Sequence, residues 1–170
     1  FTRRGHDWTS RLKHLAQAVA ALRLSNGWID GEIVIESGQG RTDFQALQNA
    51  FDAAATADIH YLVFDLPYYA DHDLRQVPLR DRRNLLRQLM AANTSSYLKF
   101  SEDFEADAGS LLEAACRLGL EGVIGKRADS PYVSTRSPTW IKLKCTQRQE
   151  FVIGGYTDPK GTRTGIGSLM

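Results

Sequence analysis

The chain has 170 residues, enough for one domain of ordinary size and too few for two full ones. Hydrophobic residues make up 42% and charged residues 24%, which excludes a disordered or fibrous chain. The net charge of +1 argues neither for nor against a nucleic-acid partner, and no apolar run approaches the ~20 residues of a transmembrane helix. No signal peptide opens the chain, and two cysteines, Cys116 and Cys145, are too few for a disulfide framework. These features predict a reducing, cytoplasmic setting. Phe1 follows no initiator Met, so the chain reads as a piece of something larger.

Charge is unevenly spread. Residues 121–170 carry +4 and the first 120 carry −3, while Arg3, Arg4, Arg11 and Lys13 face only Asp7 near the start. Two basic ends that met in space would make a phosphate-facing surface; solvated charges without a partner are the alternative.

In chain order, Thr9 is placed to cap a helix carrying Leu12, Leu15, Val19 and Leu22. Asn26-Gly27 is a turn, and Trp28 to Glu36 reads as a strand interrupted at Asp30-Gly31. Thr42-Asp43 caps a short helix with Phe44, Leu47 and Phe51. His60 to Leu66 reads as a buried strand closed by Pro67. Pro78 suits the first turn of a helix carrying Leu85, Leu86, Leu89 and Met90. A strand at Tyr97–Phe100 follows, then a helix at Ala108–Leu118 ended by Gly119. Strands at Glu121–Lys126, Trp140–Cys145 and Glu150–Tyr156 complete the reading, with Gln147-Arg148-Gln149 as a short hinge. This irregular alternation suits a mixed α/β domain better than a parallel βαβ array. Neither G-x-G-x-x-G nor G-x-x-x-x-G-K-[ST] occurs, so a bound nucleotide must be held by side chains.

Period two in Trp140-Ile141-Lys142-Leu143-Lys144-Cys145 puts Trp140, Lys142 and Lys144 on one face. Two ammonium groups so placed repel each other unless an anion such as phosphate joins them, or unless both lie in water. Glu121, just before a strand, either faces a divalent metal or belongs to a plain turn. Lys126 differs from it in parity and is predicted to face away. Glu32, at the entrance of Ile33-Val34-Ile35, accepts from a sugar hydroxyl or merely ends the strand. Phe64 is either core or a platform for a ligand.

The order of Thr2-Arg3-Arg4-Gly5, Asp30-Gly31-Glu32, Phe64-Asp65-Leu66, Glu121-Gly122-Val123-Ile124 and Lys142-Leu143-Lys144 resembles the covalent nucleotidyltransferase superfamily. Its members are ATP-dependent DNA ligases, RNA ligases and messenger-RNA capping enzymes. Residues 2–9 (TRRGHDWT) and 149–157 (QEFVIGGYT) narrow the likeness to the ligase domain of the bacterial end-joining ligases. The resemblance implies an adenylation domain of mostly antiparallel sheets over 1–147 and the opening strands of an OB-fold domain over 148–170. It implies that Glu32 binds the adenosine ribose, that Phe64 stacks on adenine and that Arg3 contacts phosphate. It implies further that Glu121 places a divalent metal, Mg or Mn, and that Lys142 and Lys144 neutralise the α-phosphate, with Arg136 a further basic position on the phosphate side. ATP would be the AMP donor. Nicked or broken double-stranded DNA would be the substrate, with end-joining proteins or fused repair domains as partners and no membrane. The family's nucleophile, the Lys of a K-x-D-G motif, is missing: Asp30-Gly31 is the chain's one Asp-Gly, and Trp28 stands two residues before it. The 170 residues by themselves are therefore expected not to form lysyl-AMP. An RNA ligase, a GTP-using capping enzyme or a non-catalytic nucleotide- or DNA-binding module are the alternatives.

Overall fold

A computed structural model describes residues 1–38, 41–145, 155–159, 161 and 164. Twelve elements follow in order: α1 (Lys13–Ala21), β1 (Gly27–Val34), β2 (Glu36–Ser37), β3 (Arg41–Thr42), α2 (Phe44–Asp52), β4 (His60–Tyr69), β5 (His72–Asp73), α3 (Leu79–Met90), β6 (Leu98–Phe100), α4 (Ala108–Arg117), β7 (Gly122–Lys126) and β8 (Trp140–Lys144). The main sheet is built on β4, which pairs antiparallel with β1 and β5 and parallel with β6. β2–β3 and β7–β8 are separate antiparallel hairpins. The domain is thus mixed α/β, as the sequence predicts, with the mostly antiparallel pairing that the resemblance implies. Among the described residues no helix is long and apolar enough to cross a membrane.

Apolar packing explains the arrangement. Val63, Leu66, Leu86, Met90, Leu98 and Ala18 are buried together where α1 and α3 meet the sheet. Leu12, Leu15, Ala50 and Ile59 form a second cluster beside α2. Asp43 caps α2 through an Oδ1 that accepts the Ala46 N–H at 2.9 Å. α4 ends at Arg117 with Leu118 as its C-cap, and Gly119 follows at φ +74°, the left-handed geometry that favours glycine.

Four expectations are corrected. Thr9 does not cap α1: the helix starts at Lys13 after a turn in which Leu12 N–H donates to Trp8 O, and Asp7 Oδ1 takes the Thr9 N–H. Pro67 does not close β4, which runs on to Tyr69. Asp30 stands opposite Asp65 and Trp28 opposite Tyr68, so Leu66-Pro67 faces Ile29 alone. The proline falls in this bulge, where its missing N–H costs no ladder bond. The two cysteines, read as pointing to a reducing setting, form a disulfide: Cys116 in α4 and Cys145 after β8, with Cα atoms 5.4 Å apart. The pairing is a single bridge, not a framework. Finally, β6 begins at Leu98, one residue after Tyr97, whose carbonyl accepts the Tyr61 N–H. The predicted hinge at 147–149, nearly all of the strand at 150–156 and most of the 148–170 segment, including Arg148, Lys160 and Arg163, lie outside the described residues.

Candidate nucleotide site

Phe64 owes its position to a second bulge. Asp30 is opposite Asp65 and Gly31 is opposite Val63, so Phe64 has no partner on β1. A bulged residue leaves its backbone unpaired and its side chain re-aimed. The freed Phe64 carbonyl accepts from Arg83 Nη1 at 2.9 Å. Beside it, Gly31 allows β1 and β4 to close: a Cβ there would sit 2.5 Å from Leu62 O and 2.6 Å from the Tyr61 ring.

The re-aimed ring meets the β7–β8 hairpin. Register pairs Lys126 with Trp140, Ile124 with Lys142 and Gly122 with Lys144, and directly opposed residues share a face. Ile124, Lys126, Trp140, Lys142 and Lys144 therefore project from one side. Trp140 packs edge-on against Phe64 with ring centroids 5.6 Å apart, and Lys126 Nζ lies 3.8 Å from the Phe64 centroid and 4.0 Å from that of Trp140. This corrects the expectation that Lys126 faces away. The strand begins at Gly122, so Glu121 stands outside its alternation and parity with Glu121 carries no information about the face of Lys126. Burial pushes the Lys126 ammonium down to about 8; the Arg83 charge adds to this and the Asp65, Asp30 and Asp103 carboxylates oppose it.

At the other end of the hairpin the two predicted lysines share a carboxylate. Lys142 Nζ is 2.7 Å and Lys144 Nζ 3.9 Å from Glu121 Oε1. The Lys142 hydrogen bond and charge hold the Glu121 carboxyl below its ordinary value. All three side chains are exposed, at 45%, 67% and 72% for Lys142, Lys144 and Glu121. Gly122, at φ +152°, lets β7 approach β8 so closely that a Cβ would run into the Leu143 carbonyl.

Beneath this face lies a buried support. Arg82 Nε and Nη2 donate to Asp65 Oδ1 and Oδ2 at 2.7 and 2.8 Å, with both side chains fully buried. Arg82 Nη1 also donates to the carbonyls of Val77 and Ser130, which ties α3 to the loop after β7. Tyr132 in that loop donates to Asp30 Oδ2 at 2.9 Å, and burial raises the Asp30 carboxyl above its ordinary value. Neither Arg82, Arg83 nor Tyr132 was singled out from the sequence. The R-N-L-L-R run around α3 reads as an ordinary amphipathic helix until β4 is in place.

The remaining predicted residues are less closely gathered. Glu32 is exposed on β1 opposite Leu62, two residues from the Phe64 bulge. Arg3 lies in the exposed turn closed by Gly5 N–H to Thr2 O, and Arg136 is exposed in the loop between β7 and β8. Among the described residues neither arginine forms an ion pair. The structure thus brings together Phe64, Trp140 and Lys126, and separately Glu121, Lys142 and Lys144, on one hairpin face.

Known proteins are similar to this chain in sequence and fold. The multifunctional non-homologous end joining protein LigD of Pseudomonas aeruginosa is 54% identical over 169 residues, covering 99% of this chain and 20% of that protein. The chain thus spans about a fifth of the length of this curated relative. A solved structure of mycobacterial DNA ligase D complexed with ATP and MES superposes with a TM-score of 0.71 at 32% identity, over 99% of this chain and 52% of that one. The ligase domain of Mycobacterium tuberculosis LigD gives 0.68 at 31% identity, over 84% and 46%. The family model described as ATP dependent DNA ligase domain matches residues 1–144, and the chain belongs to that family.

Proposed function

We propose that this chain is the nucleotide-binding core of an ATP-dependent DNA ligase that seals broken or nicked double-stranded DNA in bacterial non-homologous end joining, in the cytoplasm and beside other end-joining factors or fused repair domains. The observation that carries the reading is the common hairpin face: Lys142 and Lys144 stand on the same side as Lys126 and Trp140, which pack against Phe64.

In this reading adenine stacks on Phe64, Glu32 accepts from a ribose hydroxyl, and the phosphates lie along β8. Adenylyl transfer joins a lysine nitrogen to the α-phosphorus while the bond to the β-phosphate oxygen breaks and pyrophosphate leaves. Negative charge gathers on the phosphate oxygens, where two fixed ammonium groups stabilise it. Arg3 and Arg136 supply forked donors for nucleotide or DNA phosphates. AMP then passes to a DNA 5′-phosphate, and a 3′-hydroxyl displaces it. Among the described residues there is no cluster of three or more metal-ligating side chains. Glu121 offers one exposed carboxylate that would help hold a Mg or Mn ion, which would add charge neutralisation beside the phosphates.

Labelled ATP tests the reading. The 170-residue chain, which has no K-x-D-G, acquires no covalent AMP; the same chain preceded by a K-x-D-G segment acquires it, and Lys144→Ala reduces the labelling strongly. Labelling of the 170 residues on one of their own lysines overturns the assignment, and a preference for GTP moves the protein to the capping enzymes.

A further inference from the structure

Lys126 is held in an unusual way. The separations of 3.8, 4.0 and 5.6 Å form a near right angle at Nζ, and the two rings are tilted 69° to each other. The ammonium therefore sits in a corner with a ring face on each side. It is largely removed from water, yet among the described residues it has no ion pair and no hydrogen bond. Charged groups surround it from several elements without touching it: Asp30 on β1, Asp65 on β4, Arg83 on α3 and Asp103 after β6. A desolvated cation without a carboxylate partner draws its stabilisation from aromatic quadrupoles.

The corner also joins two pieces of structure. β4 and the β7–β8 hairpin belong to different sheets, with no ladder bonds between them. The hairpin is tied at its loop, where Leu79 and Arg80 N–H donate to the Ser130 and Ala128 carbonyls, and at its open end by the Cys116–Cys145 bridge. Between these ties, Lys126, Phe64 of β4 and Trp140 of β8 meet in the corner.

We propose that Lys126 is a positioning residue for the nucleotide: its ammonium clamps Trp140 to Phe64, fixing the tilt of the Phe64 ring and the placement of the strand that carries Lys142 and Lys144. This rests on the reading of Phe64 as the adenine platform.

Three variants of the 170-residue chain test it: Lys126→Met, which keeps length and removes charge, Lys126→Arg, which keeps charge, and Phe64→Leu. Lys126→Met loses the Phe64–Trp140 ring cross-peaks in NMR spectra without nucleotide and binds ATP about tenfold more weakly by calorimetry. Lys126→Arg keeps the cross-peaks and binds ATP within about threefold of the parent, because guanidinium also stacks on rings. The clamp is overturned if Lys126→Met keeps the ring contact, if its ATP affinity is unchanged or rises, or if Lys126→Arg does no better than Lys126→Met. Should the Met variant not fold, tryptophan fluorescence of the parent decides: an indole facing an ammonium changes its emission as that group loses its proton, with a midpoint near 8. No such transition, or the same one in Lys126→Arg, overturns the proposal. Phe64→Leu separates the two readings. If it leaves ATP affinity intact the adenine platform is wrong, whereas the cross-peaks judge the clamp without nucleotide.

Discussion

Asp65 and Glu121 each meet a cation at the same distance, 2.7 Å, and the two groupings do different work. Asp65 and Arg82 are fully buried, bidentate and surrounded by backbone acceptors, with no water to replace either partner. Glu121 and Lys142 are 72% and 45% exposed, and Lys144 stands in excess beside them. Bond length therefore says little about role; burial decides. The inner pair holds α3 to β4 and to the loop after β7, so that the hairpin has a fixed base. In the outer grouping the lysines can exchange the carboxylate for a phosphate, and the carboxylate can exchange a lysine for a metal ion, at little cost, which suits the proposed transfer role.

The largest test of this contrast is Arg82→Met. It leaves Asp65 buried with one N–H donor, from Leu66, and unfolding in urea should show a loss of about 3–5 kcal/mol. A loss below about 1 kcal/mol would remove the contrast. Next is Lys142→Ala in a chain preceded by the K-x-D-G segment. Adenylyl transfer should fall about a hundredfold, with the melting temperature almost unchanged; a matching loss of stability would make Lys142 a second structural cation. The smallest effect is at Glu121. Its folded carboxyl lies below the ordinary 4.5, so whatever stability it adds is present above that value and fades as pH falls below it. Because the pair is exposed, Glu121→Gln should move the melting temperature by no more than about 2 °C at pH 7 or pH 4. A larger shift at pH 7 that vanishes in acid would show that burial does not divide the two groupings.

Local signals were legible where local chemistry decides. Asp43 as a cap, Gly119 as a helix stop and the shared face of Trp140, Lys142 and Lys144 follow from side-chain type and period alone. Signals that need a second strand were not. Phe64 shows its bulge only in register with β1, and Pro67 is harmless only because Ile29 has nothing else to face. Lys126 was misjudged because parity holds inside a strand, and Glu121 precedes it. The sharing of Glu121 between Lys142 and Lys144 depends on the close approach that Gly122 permits. Asp65 reads as part of an apolar run until Arg82, 17 residues later, arrives beneath it.

The bridge between Cys116 and Cys145 closes a covalent ring across a separation of 29 residues. Glu121, Lys126, Trp140, Lys142 and Lys144 all lie inside that ring, and Phe64 lies outside it. On the chain-entropy account such a closure removes about 3.5 kcal/mol of freedom from the unfolded chain. With the bridge intact, β7 and β8 stay within one covalent ring even in a denatured molecule, so the groups proposed to face phosphate travel together as one cyclic unit. The proposed adenine platform, Phe64, has to be brought to that unit by folding. A cut in the exposed turn around Ser134 would leave the two strands joined as a single molecule.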